Sequence, residues 1–468
     1  MLTAFVALYL LVTVAIGLWA ARRVHNTKDY VVAGRSLPLY MSTALVFATW
    51  FGAETVLGVS ATFLNEGMRG IVADPFGFSF CLVIVALFFA RAFYRLNLLT
   101  IGDFYRQRYN KPVEVATSLC IVLSYLGWTS AQFTALGLVF HTLSGGAISL
   151  EWGIVLGAGV VLLYTIFGGM WSVAYTDFFQ SAVIIVGLLY LAVLLSGPAG
   201  GFESVVAHAS AAGKFDFWPK VELRDALAFV AAFLTAALGS IPQQDVFQRV
   251  TAAKDADTAV RGALLGGLLY FCMAFVPIYL AYSALLIDPK MVGPLLAGDA
   301  NQNQLILPYL IAGHTPLFAQ VMFFGALLSA IMSSASGALL APTTLFTENV
   351  LRPFAPKMSD RQFLLTMRLV LVIFGLGVMV FALASEASIY QMVQNAYKVT
   401  LVSAFAPLVL GLYWRRSTTF GALVAVVAGL GAWLLMELLA PEALIPPQLV
   451  GLALSLLGMV FGSLLYRK

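Results

Sequence analysis

Ala48-Thr-Trp-Phe-Gly-Ala-Glu-Thr55 sets a carboxylate, Glu54, into the middle of an apolar run that extends from residue 38 to residue 63. A charge at bilayer depth costs at least about 2.5 kcal/mol, so such a residue faces a wet cavity or a partner. Gly52 and Gly58 flank it. A membrane helix broken by glycine beside a charge has backbone opened to line a site, as in the discontinuous helices of transporters. The stretch predicts a transport site inside a membrane.

The rest of the chain agrees. Charged residues make up 10% of it, against about 25% in a soluble protein, and 61% are hydrophobic. This is the composition of an all-α polytopic membrane protein. Windows of about 19 residues give thirteen spans, near 2–21, 38–63, 76–97, 115–142, 151–168, 174–196, 226–246, 260–286, 317–347, 364–385, 390–414, 419–440 and 447–466. The first resembles a signal peptide in length, but nothing basic precedes it and Arg22 and Arg23 follow, so it is read as an uncleaved span.

An outside N-terminus and an inside C-terminus satisfy the positive-inside rule. Inside loops then hold Arg22, Arg23, Lys28, Arg35, Arg91, Arg95, Arg106, Arg108, Lys111, Arg249, Lys254, Arg261, Arg352, Lys357, Arg361, Arg415, Arg416, Arg467 and Lys468. Outside loops hold only Arg69, Lys214, Lys220, Arg224 and Lys290. The net charge of +4 is thus a matter of topology, and no nucleic-acid-sized patch forms. The longest outside loops, 197–225 and 288 to about 316, serve as lids or as connections.

Cys81, Cys120 and Cys272 lie in apolar segments without metal-ligand spacing and read as packing residues. His25, His141, His208 and His314 fall in loops or at span ends. An enzyme would need a nucleophile, base and stabiliser, or a metal set, at depth, and none is gathered there.

Five polar clusters stand out: Trp50, Glu54 and the adjoining Thr55; Trp128 and Gln132, one helical turn apart; Asp177; the segment Gly239-Ser-Ile-Pro-Gln-Gln-Asp245, where Pro242 removes a backbone donor; and Ser333, Ser334 and Ser336 with Gln394 and Lys398. Taken singly, the serines read as helix packing, the tryptophans as ordinary aromatics and Lys398 as a snorkelling cation. Spacing adds to the serines. Ala330, Ser333 and Ser334 stand at i, i+3 and i+4, so a carbonyl and two hydroxyls share one helix face. With the carbonyls of Ala48 and Phe51 they complete a five-oxygen cage for a hard monovalent cation, provided that the second and ninth spans touch.

The segments Phe167-Gly-Gly-Met-Trp-Ser-Val-Ala-Tyr-Thr-Asp177, Phe247-Gln-Arg-Val-Thr-Ala-Ala-Lys254 and Gly325-Ala-Leu-Leu-Ser-Ala-Ile-Met-Ser-Ser334 resemble the sodium/solute symporter family, over about Tyr30 to Ala422. That resemblance implies the leucine-transporter fold in a single transmembrane domain over 1–468. A leading helix at 2–21 would precede inverted five-helix repeats at 38–196 and 226–414, each opening on a broken helix, with trailing helices at 419–466. It implies a sodium site at the same Ala48, Phe51, Ala330, Ser333 and Ser334, and in some members a second ion at an aspartate like Asp177 with serines like Ser333 and Ser336. The position after Ser336 is Gly337, a departure from that second set.

Within the family, Ala48-Thr-Trp50, Trp128 before Phe133-Thr-Ala-Leu-Gly137, and Ile241-Pro-Gln-Gln-Asp-Val-Phe-Gln-Arg249 look like the high-affinity choline transporter branch. Trp50 and Trp128 supply two walls of a quaternary-ammonium box, but Gln243 stands where a third tryptophan is expected. Lys398 would repel a bare cation, so Glu54 and Lys398 are expected to bracket a zwitterion within a pocket of Trp50, Glu54, Thr55, Trp128, Gln132, Gln243, Gln394 and Lys398.

The expected function is sodium-coupled import, across the inner or plasma membrane, of an amino acid or similar zwitterion, with betaine- or choline-like solutes next. The expected partners are sodium, a small solute and lipid, with no nucleic acid. Proton coupling through Glu54 or Asp177 and a transporter-like sensory module are the alternatives. The chain stops at Lys468 without a signalling domain, which favours transport.

Overall fold

Without water in the hydrocarbon layer, each backbone N–H and C=O must find its partner within the chain, and apolar sequence there becomes helix. The computed structural model describes residues 2–465 except 221 and 299, and helices fill almost all of that length, with a lone parallel bridge between Leu37 and Ala253. Arg467 and Lys468, counted among the inside charges, and residue 466 of the last expected span lie outside the described residues.

Nine helices among the described residues are long and apolar enough to cross a membrane, and three bent pairs raise the number to twelve. The pairs are Leu39–Trp50 with Glu54–Arg69 (54°), Leu223–Gly239 with Gln244–Ala252 (45°), and Ile389–Ser403 with Phe405–Tyr413 (46°). The expected fifth and sixth spans run together as Leu150–Ser196, 47 residues long. At 1.5 Å per residue that is about 70 Å, over twice a hydrocarbon layer of about 30 Å. Its backbone leaves helical geometry at Gly169 (φ 49°, ψ −137°), where the two spans were divided. A side chain there would meet the carbonyl of Tyr30, whose hydroxyl donates to the carbonyls of Thr165 and Ile166 at 3.3 and 3.2 Å. Glycine therefore permits both the turn and the close approach.

The fourth and ninth spans form the centre. In their most apolar stretches 78% and 72% of residues are buried, against 22% in the first and twelfth, which present leucine and valine outward as a lipid-facing rim does. The third span begins at Val72 rather than at 76 and so draws Asp74 into the protein.

The long loops do more than connect. Loop 197–225 carries the helix Phe202–Ala211, and 288–316 carries Pro289–Ala297 and Ile306–His314. Lys214 Nζ donates to the carbonyls of Leu64 and Asn65 at 2.7 and 3.0 Å, closing the end of the first broken span. Burial pushes its pKa below the usual lysine value.

Candidate solute and sodium site

Helix Leu39–Trp50 ends because Phe51 leaves helical geometry (φ −87°, ψ 77°), and hydrogen bonding resumes with Val56 N–H donating to Gly52 O. The ninth span packs against this break. Ser334 Oγ donates to Thr49 O at 3.0 Å and reaches Ala48 O at 3.5 Å. A methyl group on Gly52 would lie 2.7 Å from Ser334 Oγ and 2.5 Å from Glu54 Oε2, so glycine there lets the hydroxyl and the carboxylate keep these positions.

Of the five expected sodium ligands, Ala48 and Ser334 are in contact, and Phe51 and Ala330 are fully buried beside them in sequence. Ser333 turns another way. Its hydroxyl donates to Asp177 Oδ1 at 2.6 Å, while Ser336 donates to the Ser333 carbonyl at 2.9 Å instead of meeting Asp177. Asp177 Oδ2 is buried with no hydrogen-bond partner among the described residues. Neutral oxygens around Ser334 and a half-satisfied carboxylate at Asp177 suit a hard cation.

Glu54 is clipped into place by the fourth span. Gln132 Nε2 donates to Glu54 Oε2 at 2.7 Å, Trp128 Nε1 donates to Oε1 at 3.3 Å, and Gln132 Oε1 accepts from the Ala53 N–H freed by the break at 3.1 Å. The one-turn spacing of Trp128 and Gln132 makes this double contact possible. Thr55, next along, donates to Asp74 Oδ2 at 3.0 Å, and Tyr270 OH donates to Asp74 Oδ1. Two buried carboxylates thus flank one residue, each held by neutral donors.

Trp128, which holds Glu54, belongs to an aromatic cluster. Trp50 lies parallel to Tyr397 at 6.4 Å and tilted against Phe78 at 5.2 Å, and Tyr397 also meets Phe78 at 5.2 Å and Trp128 at 6.2 Å. All four are almost wholly buried. Tyr397, Phe78 and Asp74 were missed in the sequence. Consecutive helical residues point about 100° apart, so choosing Gln394 and Lys398 as a face passed over Tyr397. Asp74 fell between the expected spans 38–63 and 76–97.

Gln243 sits at the second break, where its Nε2 donates to Ser124 Oγ at 3.0 Å and reaches Thr400 Oγ1 at 3.4 Å. Tyr125 OH donates to Asp245 Oδ1 and accepts from the Asp245 N–H at 2.9 Å. Arg249, expected in an inside loop, is buried instead. Its Nε donates to Thr49 Oγ1 at 3.0 Å, and its Nη2 fills the space a side chain on Gly337 would take.

The expected pairing of Glu54 with Lys398 is corrected. Lys398 Nζ stands 3.6 Å from Glu437 Oε1, and with Gln394 it lines a cavity between the seventh, eleventh, twelfth and thirteenth spans that none of Trp50, Glu54, Trp128 or Gln132 borders. The eleventh span carries Tyr397 inward and Lys398 away from it.

The family model described as "Sodium:solute symporter family" matches residues 30–429. Over 92% of this chain and 75% of the relative, the chain is 27% identical to high affinity choline transporter 1 of Homo sapiens. It is 26% identical to the sodium/glucose cotransporter of Vibrio parahaemolyticus, covering 91% of this chain and 82% of that one. In fold it matches the substrate-bound outward-open state of a Na+-coupled sialic acid symporter, with a TM-score of 0.86, 19% identity, and coverage of 100% of this chain and 98% of the other.

Proposed function

We propose that this chain, which belongs to the sodium:solute symporter family, imports a small organic solute bearing an ammonium group, coupled to sodium and by alternating access. Family membership carries sodium-coupled symport and excludes an enzyme. The solute class rests on one observation: Glu54 takes its hydrogen bonds from the neutral donors Trp128 and Gln132, and the Trp128 ring packs into a cluster with Tyr397, Trp50 and Phe78. Uncompensated carboxylate with aromatic faces is the chemistry that holds an alkylammonium. With Lys398 elsewhere, the reason for favouring a zwitterion over a betaine- or choline-like solute falls away, and the ammonium end is what the site selects.

Sodium would occupy the oxygens of Ala48, Phe51, Ala330 and Ser334, with Ser333 linking that set to Asp177. An outside N-terminus and repeats at 38–196 and 226–414 belong to the same proposal. In proteoliposomes, an inward sodium gradient is expected to drive accumulation of amines, quaternary ammonium compounds or amino acids, and of no sugar or dicarboxylate. Uptake indifferent to sodium but driven by a pH gradient would overturn the coupling, and sugar uptake would overturn the solute class.

A further inference from the structure

The cavity that contains Lys398 measures about 400 Å³. That is within the range of about 300–1,000 Å³ usual for small-molecule sites. Arg224, Ala228 and Ala232 line it from one face of the seventh span, Gln394 and Lys398 from one face of the eleventh, and Glu437 from the twelfth.

Its charges are poorly matched to one another. Lys398 and Glu437 stand at 3.6 Å, too far apart for a hydrogen bond, although their side chains are 19% and 39% exposed and flexible enough to close. Arg224 is already engaged with Glu442 at 2.6 Å. Glu437 Oε2 and Gln394 Nε2 are both shielded from solvent, and neither has a hydrogen-bond partner among the described residues. The second oxygen of the loosely paired Glu437 and the amide donor of Gln394, one turn before Lys398, are thus left open on two side chains that line one cavity, an incomplete network.

We propose that this cavity is a second binding site, for a small group that carries an ammonium and an anion together. The anion bonds Lys398 Nζ and the ammonium bonds the Glu437 carboxylate, with Gln394 Nε2 and Glu437 Oε2 brought to the ligand by rotation of their side chains, and the short alkyl link lies on Ala228 and Ala232. A free amino acid and the head group of phosphatidylethanolamine both present this chemistry. Lys398 follows Tyr397 directly, so the helix that would feel the occupant also holds one ring of the aromatic cluster. The site is independent of which solute is carried.

The test uses the purified full chain in sodium-free detergent solution, with calorimetric titration of L-alanine and of O-phosphoethanolamine. A second arm compares melting in nanodiscs with and without phosphatidylethanolamine. Lys398→Gln and Glu437→Gln are each expected to weaken binding at least about tenfold, the loss of one charge-assisted contact. The exchange Lys398→Glu with Glu437→Lys is expected to restore it, and Trp128→Ala to leave it unchanged. Binding of L-alanine indicates a free solute, and stabilisation only by the phosphatidylethanolamine nanodisc indicates lipid. The proposal is overturned if wild-type protein responds to neither arm. It is equally overturned if both charge variants, monodisperse on gel filtration, bind as wild type, or if Trp128→Ala abolishes binding. Should Lys398→Gln fail to fold, Glu437→Gln and the exchange decide the matter.

Discussion

The hydroxyl of Ser334 donates to the carbonyl of Thr49 at 3.0 Å, one residue before Trp50 ends the first half of the broken second span. The same Thr49 accepts from Arg249 of the seventh span through its own hydroxyl, at 3.0 Å. One residue therefore ties the broken second and seventh spans to the central ninth, and any ion drawn to these oxygens acts on all three.

Ser334→Ala is expected to raise the sodium concentration for half-maximal uptake about tenfold or more, since a contact to a charged partner is worth about 1.5–3 kcal/mol. Uptake measured against a sodium series in proteoliposomes checks this. An unchanged sodium requirement would remove Ser334 from the ion site.

Gly52→Ala places a methyl 2.5 Å from Glu54 Oε2 and 2.7 Å from Ser334 Oγ. Both polar groups then have to shift, at a cost of about 1–3 kcal/mol. The variant is expected to lose sodium and solute affinity together while Gly159→Ala, with open space around it, loses neither. Equal behaviour of the two in thermal-shift titrations would contradict the geometry.

Glu54→Gln keeps the shape of the clip to Trp128 and Gln132 but removes its charge. The KM for ammonium solutes is expected to rise at least about tenfold, by loss of a charge-assisted bond. The sodium requirement should move little. Competition assays with uncharged analogues supply the control, and an unaltered preference for the ammonium form counts against the proposed role.

Asp177→Asn retains an acceptor for Ser333 while cancelling the charge on the oxygen that lacks a partner. Sodium dependence is expected to weaken while the ranking of solutes holds. A changed ranking with the sodium response intact would place Asp177 on the solute side.

Asn349 secures the far end of the ninth span. Its Nδ2 donates to Asp103 Oδ1 at 3.0 Å and to Glu114 Oε1 at 2.7 Å, and its Oδ1 accepts from Thr100 at 2.6 Å. Asn349→Ala takes one donor from a fully buried Glu114, which keeps Lys111 Nζ at 2.8 Å, and another from Asp103, so melting in detergent is expected to fall by the equivalent of about 1–3 kcal/mol. Unchanged melting would show the network to be dispensable.

The sequence by itself determined the class of fold and the ends of most spans, because a bilayer forces a simple rule: apolar stretches of about 20 residues must become helix. It also singled out Glu54, since a carboxylate at that depth needs a reason, and the pairing of Trp128 with Gln132, since helical spacing is local. The position of the first break was readable from Gly52. What a helix does not announce is its rotation. The eleventh span offers Gln394 and Lys398 on one face and Tyr397 on another, and only packing against the second, third and fourth spans turned the tyrosine inward. Tertiary structure likewise gave Ser333 to Asp177 and Ser334 to the break, two serines that are neighbours in the chain but point about 100° apart. Asp74 and Arg249 were drawn in from apparent loops because their partners, Thr55 with Tyr270 and Thr49, lie on distant spans. Neither contact leaves a local trace, since a buried polar group is satisfied by whatever the fold brings beside it.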